Sequence, residues 1–107
     1  MPPSSDVKLR NMAEYRLSPK AQRDLDGVFD YTATQWGLSQ ALRYTDLIET
    51  ACASLAEATL PSQNCTTIRP GYRRRNVEQH VIYFRQTSYG IAVIRILHQR
   101  MDAPRHL

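Results

Sequence analysis

Two stretches with helical spacing of apolar residues come first, and three with strand character follow. Ala21, Leu25, Val28, Phe29, Thr32 and Trp36 form one stripe, with Lys20, Arg23, Asp24, Asp26 and Asp30 on the other side. This spacing predicts a helix from about Pro19 to Gln35. Ser18 precedes it as N-cap, and Pro19 at the first helical position loses nothing by lacking an N–H. Gly37 is placed to end the helix in the left-handed conformation, and Ser39 to cap a second one. That second helix, from about Gln40 to Ala58, carries the stripe Ala41, Tyr44, Leu47, Ile48, Ala51 and Leu55. Two amphipathic helices joined by about four residues pack as an antiparallel hairpin and must bury their stripes on something.

The sheet is the only candidate large enough. Tyr72–Val77, Val81–Arg85 and Ile91–Leu97 are rich in Val, Ile, Tyr and Phe, types that fit a pleated surface. Thr87 to Gly90 links the last two as a hairpin. Glu14 to Leu17 is a further short strand, with Tyr15 and Leu17 on one face. The expected fold class is α+β: an N-terminal helical hairpin packed on a small antiparallel β-sheet. Strict alternation puts Val81, Tyr83 and Arg85 on one face of the middle strand and Ile82 and Phe84 on the other. In the last strand it groups Ile91, Val93, Arg95 and Leu97 against Ala92, Ile94, Ile96 and His98. Both faces are then largely apolar, so this strand needs cover on both sides, the second from a bound partner or from the C-terminal tail. Residues 1–12 read as a flexible extension, with Met12 an alternative start, and residues 13–107 as a single domain.

Charge sharpens this picture. Eight of the fourteen basic residues lie beyond Pro61: Arg69, Arg73, Arg74, Arg75, Arg85, Arg95, Arg100 and Arg105. Only Glu78 and Asp102 oppose them, whereas the first sixty residues hold six basic and eight acidic side chains. A net charge of +4 and a pI near 9.4 suit a nucleic acid or an acidic protein partner. No run approaches the length of a membrane span and no secretory signal opens the chain, so a cytoplasmic protein is expected. Cys52 reads as a small buried side chain and Cys65 as a loop thiol. His80, His98 and His106 have no metal-ligand spacing with them, and no cofactor is expected.

The ordered segments carry a resemblance. Ala13-Glu14-Tyr15-Arg16-Leu17-Ser18-Pro19, Asp30-Tyr31, Gln35-Trp36-Gly37 and Ile68-Arg69-Pro70-Gly71-Tyr72-Arg73 are followed by His80-Val81-Ile82-Tyr83-Phe84-Arg85. Ile94-Arg95-Ile96-Leu97-His98-Gln99-Arg100-Met101-Asp102 closes the set. Together they resemble the ParE toxins of the RelE/ParE superfamily over nearly the whole chain. The resemblance implies a type II toxin, not an enzyme, that arrests growth by inhibiting DNA gyrase. It also implies a ParD-type antitoxin as partner in a toxin–antitoxin hetero-oligomer.

On that reading His98, Arg100, Met101, Arg105 and His106 are the candidate toxicity and gyrase contacts, being close together after the last core strand. That tail is expected to add little burial beyond Met101 and Leu107. Arg73, Arg75, Arg85, Val93 and Arg95 are the candidate antitoxin contacts. For the run Arg73, Arg74 and Arg75, DNA phosphate in a gyrase complex is a second functional reading, and the blander alternative is a charged edge strand that discourages unwanted pairing. Arg95 is either the partner of a phosphate or carboxylate, or snorkels to the edge. Trp36 and Tyr44 read as hairpin core. Two rivals share the fold: a RelE-like ribosome-dependent mRNA interferase, with Arg100 holding a phosphate and His106 six residues later, and a non-toxic interaction module. Against the first, the last lysine is Lys20, so the sheet half lacks the lysines of such a site.

Overall fold

The computed structural model describes residues 13–107, so the expectations for residues 1–12 lie outside it. Strand β1 (Glu14–Leu17) leads into α1 (Pro19–Trp36) and α2 (Leu38–Ala56). The sheet continues with β2 (Gln63–Asn64), β3 (Tyr72–Val77), β4 (His80–Thr87) and β5 (Gly90–His98), and the short α3 (Ala103–His106) follows. Strand order is β1-β5-β4-β3-β2. All neighbours are antiparallel except β1 and β5, which run parallel. The helical hairpin on a small sheet is the architecture expected; the parallel β1 makes the sheet mixed, and β2 lies in a segment read as loop.

Local chemistry sets the entry to α1. Ser18 Oγ accepts from the Ala21 N–H at 3.0 Å and donates to the Ile94 carbonyl at 2.7 Å. One hydroxyl therefore caps the helix and ties it to β5. At the other end the hairpin is tighter than predicted. Gly37 alone links the helices, at φ 96° and ψ 165°, a positive-φ conformation outside the left-handed helical region that a side chain would strain. Ser39 lies inside α2 and does not cap it. The tip overhangs the sheet, and residues 34–39 are all exposed. Trp36, expected in the hairpin core, is 73% exposed there, and Leu47 is 45% exposed.

The main core lies between hairpin and sheet. Leu25 and Val28 of α1 and Ile48, Cys52 and Leu55 of α2 pack on Ile82 and Phe84 of β4 and Ile91, Val93 and Ile96 of β5. Each such side chain contributes about 1.5–3 kcal/mol by burial. Ile96 joins this core because β5 is not strictly alternating. Tyr83 pairs with Arg95 while Phe84 pairs with Val93, leaving Ile94 as the extra residue of a bulge. The bulge reverses the facing of everything beyond it. Ile91 and Val93 face the helices, but Arg95 and Leu97, expected on the same face as them, turn to the other side.

That other side is covered by the chain itself. Cys65, Val81, Tyr83, Leu97 and Ala103 form a second buried cluster, with Ile68, Tyr72 and Leu107 packed against it. Of the two covers expected, the C-terminal tail is the one present, joined by the segment after β2. Within the tail Leu107 is partly buried as expected and Ala103 is buried beyond the expectation, whereas Met101, expected to add burial, is 41% exposed. Cys65 is in a loop as expected, but it is buried.

Candidate functional site

Two surfaces of different chemistry flank the sheet. The first is a groove of about 1080 Å³ between the middle of α1, the first half of α2, the β3–β4 turn and the end of β5. Tyr31 and Trp36 of α1, Leu47 of α2 and Met101 after β5 are exposed apolar side chains along it. Arg23, Arg43 and Glu78 add charge at its rim.

The floor is a polar chain. The Tyr44 hydroxyl accepts from the Gln79 N–H at 3.1 Å and lies 2.7 Å from His80 Nδ1. With the Gln79 N–H on one lone pair, the hydroxyl can donate to His80 Nδ1 or accept from it, according to the imidazole tautomer. His80 and His98 pair across β4 and β5 with ring centroids 5.3 Å apart, edge to face. His98 Nδ1 accepts from the Arg100 N–H at 3.1 Å. Burial first, and the neighbouring His98 second, lower the pKa of His80, with Asp24 opposing them. Burial holds the Tyr44 hydroxyl above its usual range, so it keeps its proton.

The candidate toxicity residues divide. His98 and Met101 line the groove, and Arg100 is exposed in the turn between them. Arg105 and His106 sit on α3, on the opposite side of the sheet. There Arg105 approaches Asp102 at 3.8 Å and the His106 carbonyl accepts from Arg95 Nη1 at 3.1 Å. No hydrogen bond or ion pair joins Arg100 to His106 among the described residues.

The candidate antitoxin residues divide too. Arg73 and Arg75 turn toward the hairpin side and donate to Ser62 and to the Pro61 carbonyl. Arg85 is exposed on the far face. Val93 is 0% exposed, buried beneath the hairpin, and presents no side-chain surface to a partner. Arg95 is occupied internally: Nε and Nη2 donate to the two Asp24 carboxylate oxygens at 2.7 and 2.9 Å. The carboxylate was the right one of its expected partners, and it raises the arginine's pKa, chiefly through that hydrogen bond.

Neither thiol is activated. Burial pushes Cys52 up to about 12, and burial raises Cys65 against the pull of Arg74 and Arg73. Among the described residues no cluster of three or more His, Cys, Asp or Glu is placed to hold a metal ion, and no helix is long and apolar enough to cross a membrane. The groove residues Tyr31, Leu47 and His80 were not singled out in the sequence as a site. The available signal was surplus: Leu38, Leu42 and Leu47 exceed the leucines the buried face of α2 can use.

A helical hairpin on a mixed five-stranded sheet, with an apolar groove on one side and arginines on the other, defines a class of small α+β domain built around binding surfaces. The family described as ParE toxin of type II toxin-antitoxin system, parDE, matches residues 15–103. The Toxin ParE1 of Mycobacterium tuberculosis is 40% identical over 96 residues, covering 89% of this chain and 98% of that protein. The Toxin ParE1 of Caulobacter vibrioides is 36% identical over 96 residues, covering 90% and 99%. A chain from the chromosomal ParDE TA system of P. aeruginosa superposes with a TM-score of 0.68 at 24% identity, over 81% of this chain and 96% of that one, a likeness of fold. The chain belongs to the ParE toxin family of parDE type II toxin–antitoxin systems.

Proposed function

We propose that this chain arrests growth by inhibiting DNA gyrase and that a ParD-type antitoxin neutralises it by laying an amphipathic helix in the groove. The groove carries the second half of this reading. Tyr31, Trp36, Leu47 and Met101 are large apolar side chains exposed together along one concavity, the pattern of a helix-in-groove interface. Arg23 and Arg43 at the rim suit an acidic face on that helix. Gyrase as target rests on family membership.

The turn holding Arg100 is the proposed gyrase contact. It leaves β5 beside His98 and Met101, both of which line the groove, so a helix seated there covers the turn. Neutralisation then needs no change of toxin shape, only occlusion. Induction without the antitoxin, followed by supercoiling and mRNA-cleavage assays side by side, tests the reading. Growth arrest with lost supercoiling and intact mRNA supports it. Cleavage of translated mRNA with supercoiling untouched assigns the chain to the interferase branch instead.

A further inference from the structure

We infer that the sheet face opposite the hairpin binds the phosphate backbone of duplex DNA through Arg74 and Arg85, with Arg69 and Arg105 beside them. Arg74 pairs with Tyr83 across β3 and β4, and Arg85 pairs with Tyr72. Tyr83 and Tyr72 both belong to the second cluster, so both arginines emerge on its face. As diagonal neighbours on adjacent antiparallel strands they stand about 7–8 Å apart. Arg69 bonds the Leu107 carbonyl, and Arg105 lies on α3 over the same cluster.

The acids there do little to neutralise them. Glu14 is bound to Arg16 at 2.8 Å, and Asp102 reaches only Arg105, at 3.8 Å with both side chains well exposed. Among the described residues Arg74 and Arg85 meet no carboxylate within ion-pair distance, whereas Arg69 is taken up by Leu107. Arg74 spends its Nε on Gln63 and keeps its terminal nitrogens.

Three observations select the partner. The apolar residues of this face are already covered by Ala103 and Leu107, so it offers no anchors to an amphipathic peptide; those lie in the groove. Its aromatics are occupied: Tyr83 is buried, Tyr72 packs in the cluster, and Tyr89 lies under Arg16 at 4.0 Å. Without a free ring for base stacking the face does not suit single strands. What remains is a set of guanidinium forks, which match phosphate oxygens without reading sequence. The choice of DNA over RNA duplex rests on the gyrase reading above; the phosphate surface itself does not.

The test is anisotropy titration of the purified full-length protein with a labelled mixed-sequence DNA duplex, the matching RNA duplex and the single strand, over a range of salt. We expect duplex DNA to be preferred, with log K falling against log salt. R74A and R85A each reduce that slope by about 0.9, while R74K/R85K largely keeps it. Unchanged slopes in R74A/R85A, or preference for the RNA duplex or single strand, overturn the inference. Supercoiling inhibition is measured separately on the same variants. If DNA binding fails while inhibition persists, only this inference falls. If DNA binding holds in a protein that leaves gyrase untouched, only the gyrase reading falls.

Discussion

Asp24 in the second turn of α1 grips Arg95 of β5 with both carboxylate oxygens, and its Oδ2 also accepts from the Ile96 N–H at 3.0 Å. Strand β1 pairs with β5 only as far as Val93. Beyond that point α1 takes over the open edge: the Ser18 N–H donates to the Val93 carbonyl, Ser18 Oγ to Ile94, and Asp24 receives Ile96. Arg95 continues the chain of bonds to the His106 carbonyl, so one ion pair links α1, the sheet and α3.

D24A and R95A should each destabilise the fold by about 2–4 kcal/mol, because each leaves a charge that is only 15% exposed without its partner. A double-mutant cycle should return a coupling of about 1–3 kcal/mol. Urea denaturation of the four proteins measures it, and a coupling near zero would make the pair ornamental.

His80 should make stability depend on pH in one direction. Its pKa is lowered from 6.5 in the folded chain, so between the two values the unfolded chain binds more protons. Stability from this group is present above about pH 6.5 and declines as pH falls toward the folded value. Tyr44, His98, Asp24 and Glu78 are the titratable neighbours. Subtracting the stability curve of H80Q from that of the wild type should leave a difference that declines below pH 6.5; a flat difference rules the device out.

A chain ending at Gln99 should lose stability as well as toxicity, by about 2–4 kcal/mol, since removing Ala103 and Leu107 uncovers Val81, Tyr83 and Leu97. R100A is the cleaner probe, because its side chain makes no hydrogen bond among the described residues. It should keep its melting temperature and antitoxin binding while growth inhibition drops at least tenfold. Full toxicity in R100A would remove this turn from the gyrase contact.

W36A and L47D should weaken antitoxin binding by about 2 kcal/mol or more each with little change in stability, since both side chains are exposed. Calorimetric titration with the antitoxin reads this directly. Unaltered affinity in both would move the interface off the groove.

The helices, four of the five strands and the Ser18 cap were legible because each follows from local spacing and backbone chemistry. Three features were not. The bulge at Ile94 has no mark in an apolar run, since Ile91 to Leu97 reads as a strand with or without it. Yet it decides that Arg95 meets Asp24 and that Ile96 enters the core. Trp36 and Leu47 fit helical stripes, but spacing cannot tell a face that meets a sheet from one that overhangs it. Arg73 and Arg75 announced charge, while the loop carbonyls of Pro61 and Ser62 that hold them depend on a turn whose path only the fold determines.

The parallel pairing of β1 with β5 has a consequence for the order of folding. Residue 18 bonds residue 94, so nearly the whole chain must leave the ribosome before the first strand finds its neighbour. Until then α1 and α2 have formed no more than a local hairpin, because the strands that complete their core lie in the last third of the sequence. Closing so long a loop makes this the slow contact of the fold. The groove shares that timing, since Tyr31 and Leu47 come early but His98 and Met101 come last. A partner that recognises the finished groove therefore meets only completed molecules, and the nascent chain is invisible to it.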